Sequence, residues 1–138
     1  MKLMLDSSFL VGLLIENDQW HPKSLLMEKI VNNSNTYITD AVLNETLNSF
    51  TETDGKLLMM IYKKLLKTNK IFIVKNVDTY NLIAKMCRDY DSSMGYADCS
   101  ILYFMKKNNI DYILSFDEHF DKDGDVIRIC EENYMHFE

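Results

Sequence analysis

Four carboxylates fall where a folded chain can bring them together. Asp6 directly follows the apolar run Leu3-Met4-Leu5, and Asp117 lies three residues beyond Tyr112-Ile113-Leu114. Asp98 sits near the start of a helical stretch, just after Gly95 lets the chain turn. Glu45 lies in the early turns of another helix, opposite Leu43, Leu47 and Phe50. In an open parallel sheet, residues just past the carboxyl ends of the strands face the crevice where ligands bind. Carboxylates crowded there repel one another, and burying them unpaired is costly. A hard divalent cation resolves the conflict, and Mg²⁺ or Mn²⁺ with oxygen ligands and retained waters is the natural choice. A cation held this way polarises phosphate and lowers the pKa of water, which is the chemistry of phosphodiester hydrolysis. Each acid alone is equally at home as a helix cap or solvated loop residue. Spacing does not show that the four converge.

The elements that must position these acids alternate along the chain. Lys2-Leu3-Met4-Leu5 reads as a buried strand, followed by a helix capped by Ser7 or Ser8 with Phe9, Leu10, Leu13 and Leu14 on one stripe. His21-Pro22 opens a second helix, with Leu25, Leu26 and Ile30 facing inward. Thr36-Tyr37-Ile38 is strand-like, and Asp40 is placed to cap the helix that carries Glu45. Asp54-Gly55 precedes an amphipathic stretch from Lys56 to Leu66, and Ile71-Phe72-Ile73-Val74 has the β-branched and aromatic character of a strand. Helical spacing returns at Ile83, Met86, Cys87 and Tyr90 and, after a break at Asp91–Gly95, at Ala97, Ile101, Phe104 and Met105. Tyr112-Ile113-Leu114 and Val126-Ile127-Arg128-Ile129 supply the last two strands. Continuously apolar strands alternating with helices predict a parallel sheet covered on both faces. The expectation is one α/β domain over residues 1–138, a three-layer α/β/α sandwich of about five strands.

Composition narrows the function classes. Of 138 residues, 47% are apolar and 26% charged, a balance that excludes disorder, and four Gly with one Pro leave little for linkers. Fifteen Lys and Arg face 21 Asp and Glu, a formal charge of −6, which argues against a simple electrostatic binder of nucleic acid. Cys87, Cys99 and Cys130 are odd in number and lack metal-type spacing, and no secretory leader or membrane-length apolar run is visible. A reducing, cytoplasmic setting is therefore expected, with no membrane partner.

Leu3-Met4-Leu5-Asp6-Ser7-Ser8, Asp40-Ala41-Val42-Leu43-Asn44-Glu45, Gly95-Tyr96-Ala97-Asp98 and Leu114-Ser115-Phe116-Asp117 together resemble the ordered acidic motifs of PIN-domain nucleases. The likeness spans almost the whole chain, and its size is similar to that of compact prokaryotic members, including VapC-type toxins. The resemblance implies a Rossmann-like sandwich and a metal-dependent endoribonuclease in which Asp6, Glu45, Asp98 and Asp117 hold Mg²⁺ or Mn²⁺. It further implies in-line attack of activated water on RNA, leaving a 5′-phosphate and a 3′-hydroxyl, and a toxin restrained by a small antitoxin. A homodimer is expected on the same ground. By the same likeness Ser7 orients a carboxylate or a water at the metal, and Ser115 supports Asp117. Asp40 stands where relatives carry Ser or Thr, so it is an extra acid near the site or a cap. Asp121 is a candidate accessory acid. A catalytically weak PIN-like module that binds RNA or protein is the competing reading.

Other patterns lead nowhere comparable. A calcium loop aligned on Gly124 would need Asp at His119 and Glu at Cys130, so a turn between strands is expected there. A dehalogenase-type phosphatase would want an acid at Ser8, and a receiver domain would want paired acids before its first strand ends. The three histidines are scattered, and no zinc-like pair forms. Cys99 beside Asp98 reads as a core thiol, with no His partner to make it a nucleophile. Lys63, Lys64, Lys67 and Lys70, with Lys75 beyond, form the one sizeable basic group, a candidate rim for RNA. Lys106-Lys107 suit the end of a helix. With the four proposed ligands set aside, 17 acidic residues face 15 basic ones, a charge of −2. Bound metal can supply the local positive charge that a phosphate needs.

Overall fold

The computed structural model describes residues 1–50, 54–90 and 94–138. Strand β1 (Lys2–Leu5) lies at the centre of a five-stranded sheet with β2 (Asn35–Thr39), β3 (Lys70–Phe72), β4 (Tyr112–Leu114) and β5 (Ile127–Ile129). The order is β3-β2-β1-β4-β5, and every pairing is parallel. Successive residues of a strand point to opposite faces. Leu3, Met4 and Leu5 are all buried, so both faces at β1 are covered, which is why this run shows no polar alternation. The chain lays down β1, β2 and β3 in one direction and then returns to place β4 and β5 on the other side of β1. The order therefore reverses between β1 and β4, the place where a parallel sheet opens a crevice at its carboxyl edge.

Among the described residues seven α-helices complete the layers: α1 (Ser7–Leu14), α2 (His21–Leu26), α3 (Glu28–Asn32), α4 (Asp40–Asn48), α5 (Gly55–Thr68), α6 (Val77–Asp89) and α7 (Tyr96–Lys107). Helix α7 is the most deeply set, with Cys99, Ser100, Ile101, Leu102, Phe104 and Met105 all buried. Its predicted stripe included Ala97, which is half-buried. At its far end Lys106 meets the buried Asp123 at 2.8 Å, a specific ion pair beyond the general attraction of a helix terminus for a cation. Helices α1 and α2 pack so closely that a Cβ on Gly12 would lie 2.5 Å from Ser24 Oγ and 3.0 Å from Trp20 Cβ. Only glycine fits that approach, which sets Trp20 flat against Phe116 with ring centroids 4.6 Å apart.

Several local expectations are corrected. Neither Ser7 nor Ser8 caps α1: Asp6 does, its Oδ1 accepting the Ser7 N–H at 2.8 Å. Asp40 does not cap α4, since Thr39 Oγ1 accepts the Val42 N–H at 3.1 Å. The deepest residues of α4 are Val42 and Thr46, with Leu43 and Leu47 half-buried beside buried Phe50. Leu25 and Leu26 do not face inward; they are 49% and 52% exposed. The helix breaks at Met27, so the inward set becomes Ser24, Met27 and Ile30. The strand expected over Ile71–Val74 is Lys70–Phe72; Ile73 is exposed, and the Val74 N–H is taken by Asp40 Oδ2 at 3.1 Å. Residues 91–93 of the break before α7 lie outside the described residues. The expected turn after Asp117 contains a 3-10 segment, Glu118–Lys122.

Candidate active site

The four acids singled out in the sequence line one cavity of about 370 Å³ at the carboxyl edge of the sheet. Asp6 and Asp117 extend from β1 and β4 on either side of the reversal point, α7 brings in Asp98 on its first turn, and α4 brings in Glu45. A larger cavity of about 460 Å³ between α1, α3 and α5 contains none of these acids. Asp18 and Trp20 also line the acidic cavity, and neither was singled out beforehand. Asp18 Oδ2 accepts the Trp20 N–H at 2.9 Å, which fixes the loop carrying the indole.

The serines around Asp6 make its position rigid. Ser115 Oγ donates to Asp6 Oδ2 at 2.6 Å, and Ser8 Oγ reaches the same oxygen at 3.0 Å. These hydroxyls also accept from the backbone: Asp117 N–H donates to Ser115 Oγ at 2.9 Å, and Phe116 N–H to Ser8 Oγ at 3.1 Å. Ser115 thus supports Asp117 through its amide while holding Asp6 directly. Ser7 turns the other way and donates to Glu45 Oε2 at 2.7 Å. Ser8 is therefore a site residue that the motif reading passed over; its position two residues after Asp6 on a helical turn was the available signal. Replacing Ser115 with Ala leaves Asp6 Oδ2 short of its closest donor in a buried setting. The expected loss is about 1–3 kcal/mol of folding free energy, measured by urea unfolding in chelator. A loss below about 0.5 kcal/mol would show that the network does not hold the carboxylate.

Electrostatics distinguish this cluster from a set of ordinary caps. Burial raises the Asp6 carboxyl above its usual range against three hydrogen bonds that lower it. Asp98 is pushed up to about 6, first by burial and then by the charges of Asp6 and Asp117, with the Gly95 amide and His119 opposing. Carboxylates crowded in a shared cavity present hard oxygen donors and an excess of negative charge, which fits a divalent cation. Asp6, Glu45, Asp98 and Asp117 are the acids that line the cavity, and among the described residues one donor atom each from Asp98, Asp117 and His119 lies within 4.8 Å of the others.

The two remaining candidates lie elsewhere. Neither Asp40 nor Asp121 lines the cavity. Asp40 uses one oxygen for its own helix, accepting Ala41 N–H at 2.9 Å, and the other for Val74. Asp121 forms a two-point pair with Arg128, both contacts at 2.9 Å, and Arg128 also donates to the Ser115 carbonyl at 3.1 Å. Its support for the site is indirect, through the strand end that carries Ser115. The expected basic rim is displaced as well. Lys67 and Lys70 flank a cleft with Asn35 and Thr36, where β2 begins, at the edge opposite the acids. Lys75, which follows β3, is the member of the group at the carboxyl edge.

One residue was missed outright. His119 Nδ1 lies 3.0 Å from Asp117 Oδ1 and 4.0 Å from Asp98 Oδ2. The signal was present as Asp-x-His just past a strand, but a search for zinc-like pairs does not find it.

The strand order, the buried central strand and the acids at the reversal point define a PIN-like α/β sandwich. Solved structures share this fold. VapC20 of Mycobacterium tuberculosis, a sarcin–ricin-loop-cleaving toxin, matches with a TM-score of 0.76 at 16% identity, covering 93% of this chain and 98% of its own. A chain of VapBC2 from Rickettsia felis, solved bound to a DNA fragment from its promoter, matches at 0.66 and 15% identity, covering 94% and 98%. A chain of FitAcB from Neisseria gonorrhoeae matches at 0.64 and 15%, with the same coverage. No family model and no curated protein matches the chain. At these identities the likeness is one of fold.

Proposed function

We propose that the chain is a metal-dependent endoribonuclease of the PIN family, a VapC-type toxin. The observation that carries this reading is the convergence of Asp6, Glu45, Asp98 and Asp117 on one cavity, with Asp98 holding its proton up to about 6. A divalent cation bound there supplies neutralising charge at a phosphodiester and makes water a better nucleophile at neutral pH. The chain's own residues do the positioning. Ser8 and Ser115 fix Asp6, Asp117 is held at the end of β4, and Ser7 restrains the exposed Glu45 at the mouth. Trp20, stacked on Phe116 with the Lys23 ammonium 5.0 Å from its ring centroid, walls one side.

The substrate is RNA, and with Lys67 and Lys70 at the opposite edge its selection rests on the metal and the cavity shape more than on bulk charge. A small antitoxin is the proposed partner; the match to chains of the VapBC2 and FitAcB structures supports it. Exposed apolar residues on α5, among them Leu57, Met59 and Met60, support a homodimer. Among the described residues no helix is long and apolar enough to cross a membrane, and a cytoplasmic setting goes with this reading.

The test is incubation of structured RNAs with purified protein in Mg²⁺, Mn²⁺ or chelator, with RNA retention on the protein followed in parallel. Metal-dependent fragmentation is the expected result. Retention of RNA without fragmentation in any metal would replace the enzyme with a binding module.

A further inference from the structure

We infer that His119 is a nitrogen ligand to the divalent ion, and that the site consequently selects Mn²⁺ over Mg²⁺. The inference rests on the metal-site reading above and adds a ligand that the acidic motifs do not contain.

The geometry comes first. On an octahedral ion with bonds of about 2.1 Å, neighbouring ligands lie about 3 Å apart and opposite ligands about 4.2 Å apart. His119 Nδ1 is 3.0 Å from Asp117 Oδ1 and 4.0 Å from Asp98 Oδ2. One donor atom from each of Asp98, Asp117 and His119 falls within 4.8 Å of the others. The two separations from His119 are those of donors around a single small ion.

The backbone that carries the imidazole is also held in place. The His119 N–H donates to Asp117 Oδ1 at 3.0 Å, which makes Asp117 the cap of the 3-10 segment Glu118–Lys122. Phe120, the next residue, is completely buried and anchors that segment in the core. The Asp121–Arg128 pair fastens it to the Ser115 carbonyl. The ring therefore reaches Asp117 and Asp98, which line the cavity, from a fixed backbone with little freedom beyond its own rotamers, as a ligand requires.

The competing role is that of a countercharge, an imidazolium paired with Asp117. The two roles predict effects of opposite sign. A countercharge competes with a cation, so its removal strengthens divalent-ion binding. A ligand contributes a bond, so its removal weakens binding. Nitrogen donors also favour first-row transition ions over Mg²⁺, which binds carboxylate and water oxygens almost alone.

Full-length wild type, His119→Ala and Asp98→Asn are to be titrated with Mn²⁺ and Mg²⁺ by calorimetry, and the Mn²⁺ forms examined by pulsed electron paramagnetic resonance. His119 is half-exposed, so the variant is expected to fold, and circular dichroism checks this. The expected result is a coordinated-nitrogen signal in wild type that disappears in His119→Ala. Mn²⁺ affinity then falls about tenfold or more while Mg²⁺ affinity changes little. Unchanged or tighter Mn²⁺ binding in His119→Ala, or no nitrogen signal in wild type that still loses its ion in Asp98→Asn, overturns the ligand assignment and leaves the carboxylate site standing. Absence of ion binding in wild type contradicts both readings.

Discussion

Replacing Asp98 with Asn is expected to abolish RNA cleavage and, in metal-free protein at neutral pH, to raise thermal stability. Activity should fall by more than the ~10–100-fold typical of residues that merely support a metal ligand. The stability effect follows from the proton. Asp98 moves from 3.8 in the unfolded chain to about 6 in the fold, through burial and the neighbouring Asp6 and Asp117 charges. The folded state therefore binds this proton more tightly than the unfolded state. Its contribution to stability is fully present below about pH 4 and is lost as pH rises through 6. Asn carries no charge at any pH, so the variant escapes that loss. Scanning calorimetry in chelator should show Asp98→Asn about 2–5 °C above wild type at pH 8, with no gain at pH 4. Saturating Mn²⁺ should reverse the order, because only wild type gains the binding free energy, about 2.7 kcal/mol at a hundredfold excess over Kd. A variant less stable than wild type at pH 8 in chelator would show that the acids are not in mutual conflict.

Lys106→Ala is expected to produce the largest loss of stability of the substitutions considered. The Asp123 side chain is 4% exposed and receives the Lys106 ammonium at 2.8 Å, the Tyr90 hydroxyl, and the Asp125 N–H at 2.9 Å. Burial alone would raise the Asp123 pKa; the hydrogen bonds from Lys106 and Tyr90 outweigh it and hold the group below its usual range. Removing the lysine strands a buried charge, at a cost of about 3 kcal/mol. In a domain of this size the melting temperature should drop by about 8 °C. Because the pKa is lowered in the fold, this stabilisation is present above about pH 4 and lost as pH falls through the folded value. The deficit of Lys106→Ala should accordingly shrink in acid, and Asp123→Leu added to it should restore part of the loss. A change below about 0.5 kcal/mol at pH 7 would mean that the clip carries nothing. The effect reaches the site, since this contact fixes the far end of the helix that presents Asp98.

Most of the scaffold was legible because burial leaves a strong mark on composition. Leu3-Met4-Leu5 and Tyr112-Ile113-Leu114 lack polar alternation, and that absence implied a sheet covered on both faces. The positions of three of the acids follow for a related reason: Asp6 and Asp117 come just after strands and Asp98 lies in the first turn of α7, whereas Glu45 lies within α4. What failed depended on partners distant in sequence. Asp40 and Asp121 look like further site acids until Val74 and Arg128 are seen to take their oxygens. Ser7 and Ser8 are adjacent and chemically alike; Ser8 reaches Asp6 within its own turn, and only the packing of α4 against α1 decides that Ser7 reaches Glu45. Leu25 and Leu26 were misplaced because a one-residue break at Met27 rotates the following turn. His119 was overlooked because its partners are carboxylates, not a second histidine or cysteine.

The central claim is that these carboxylates form a metal site that cuts RNA, and end-labelled RNA cleavage tests it most directly. Wild type in Mn²⁺ should give discrete fragments ending in a 3′-hydroxyl, with none in chelator and none from Asp98→Asn. Equal cleavage in chelator, or by Asp98→Asn, would contradict the claim.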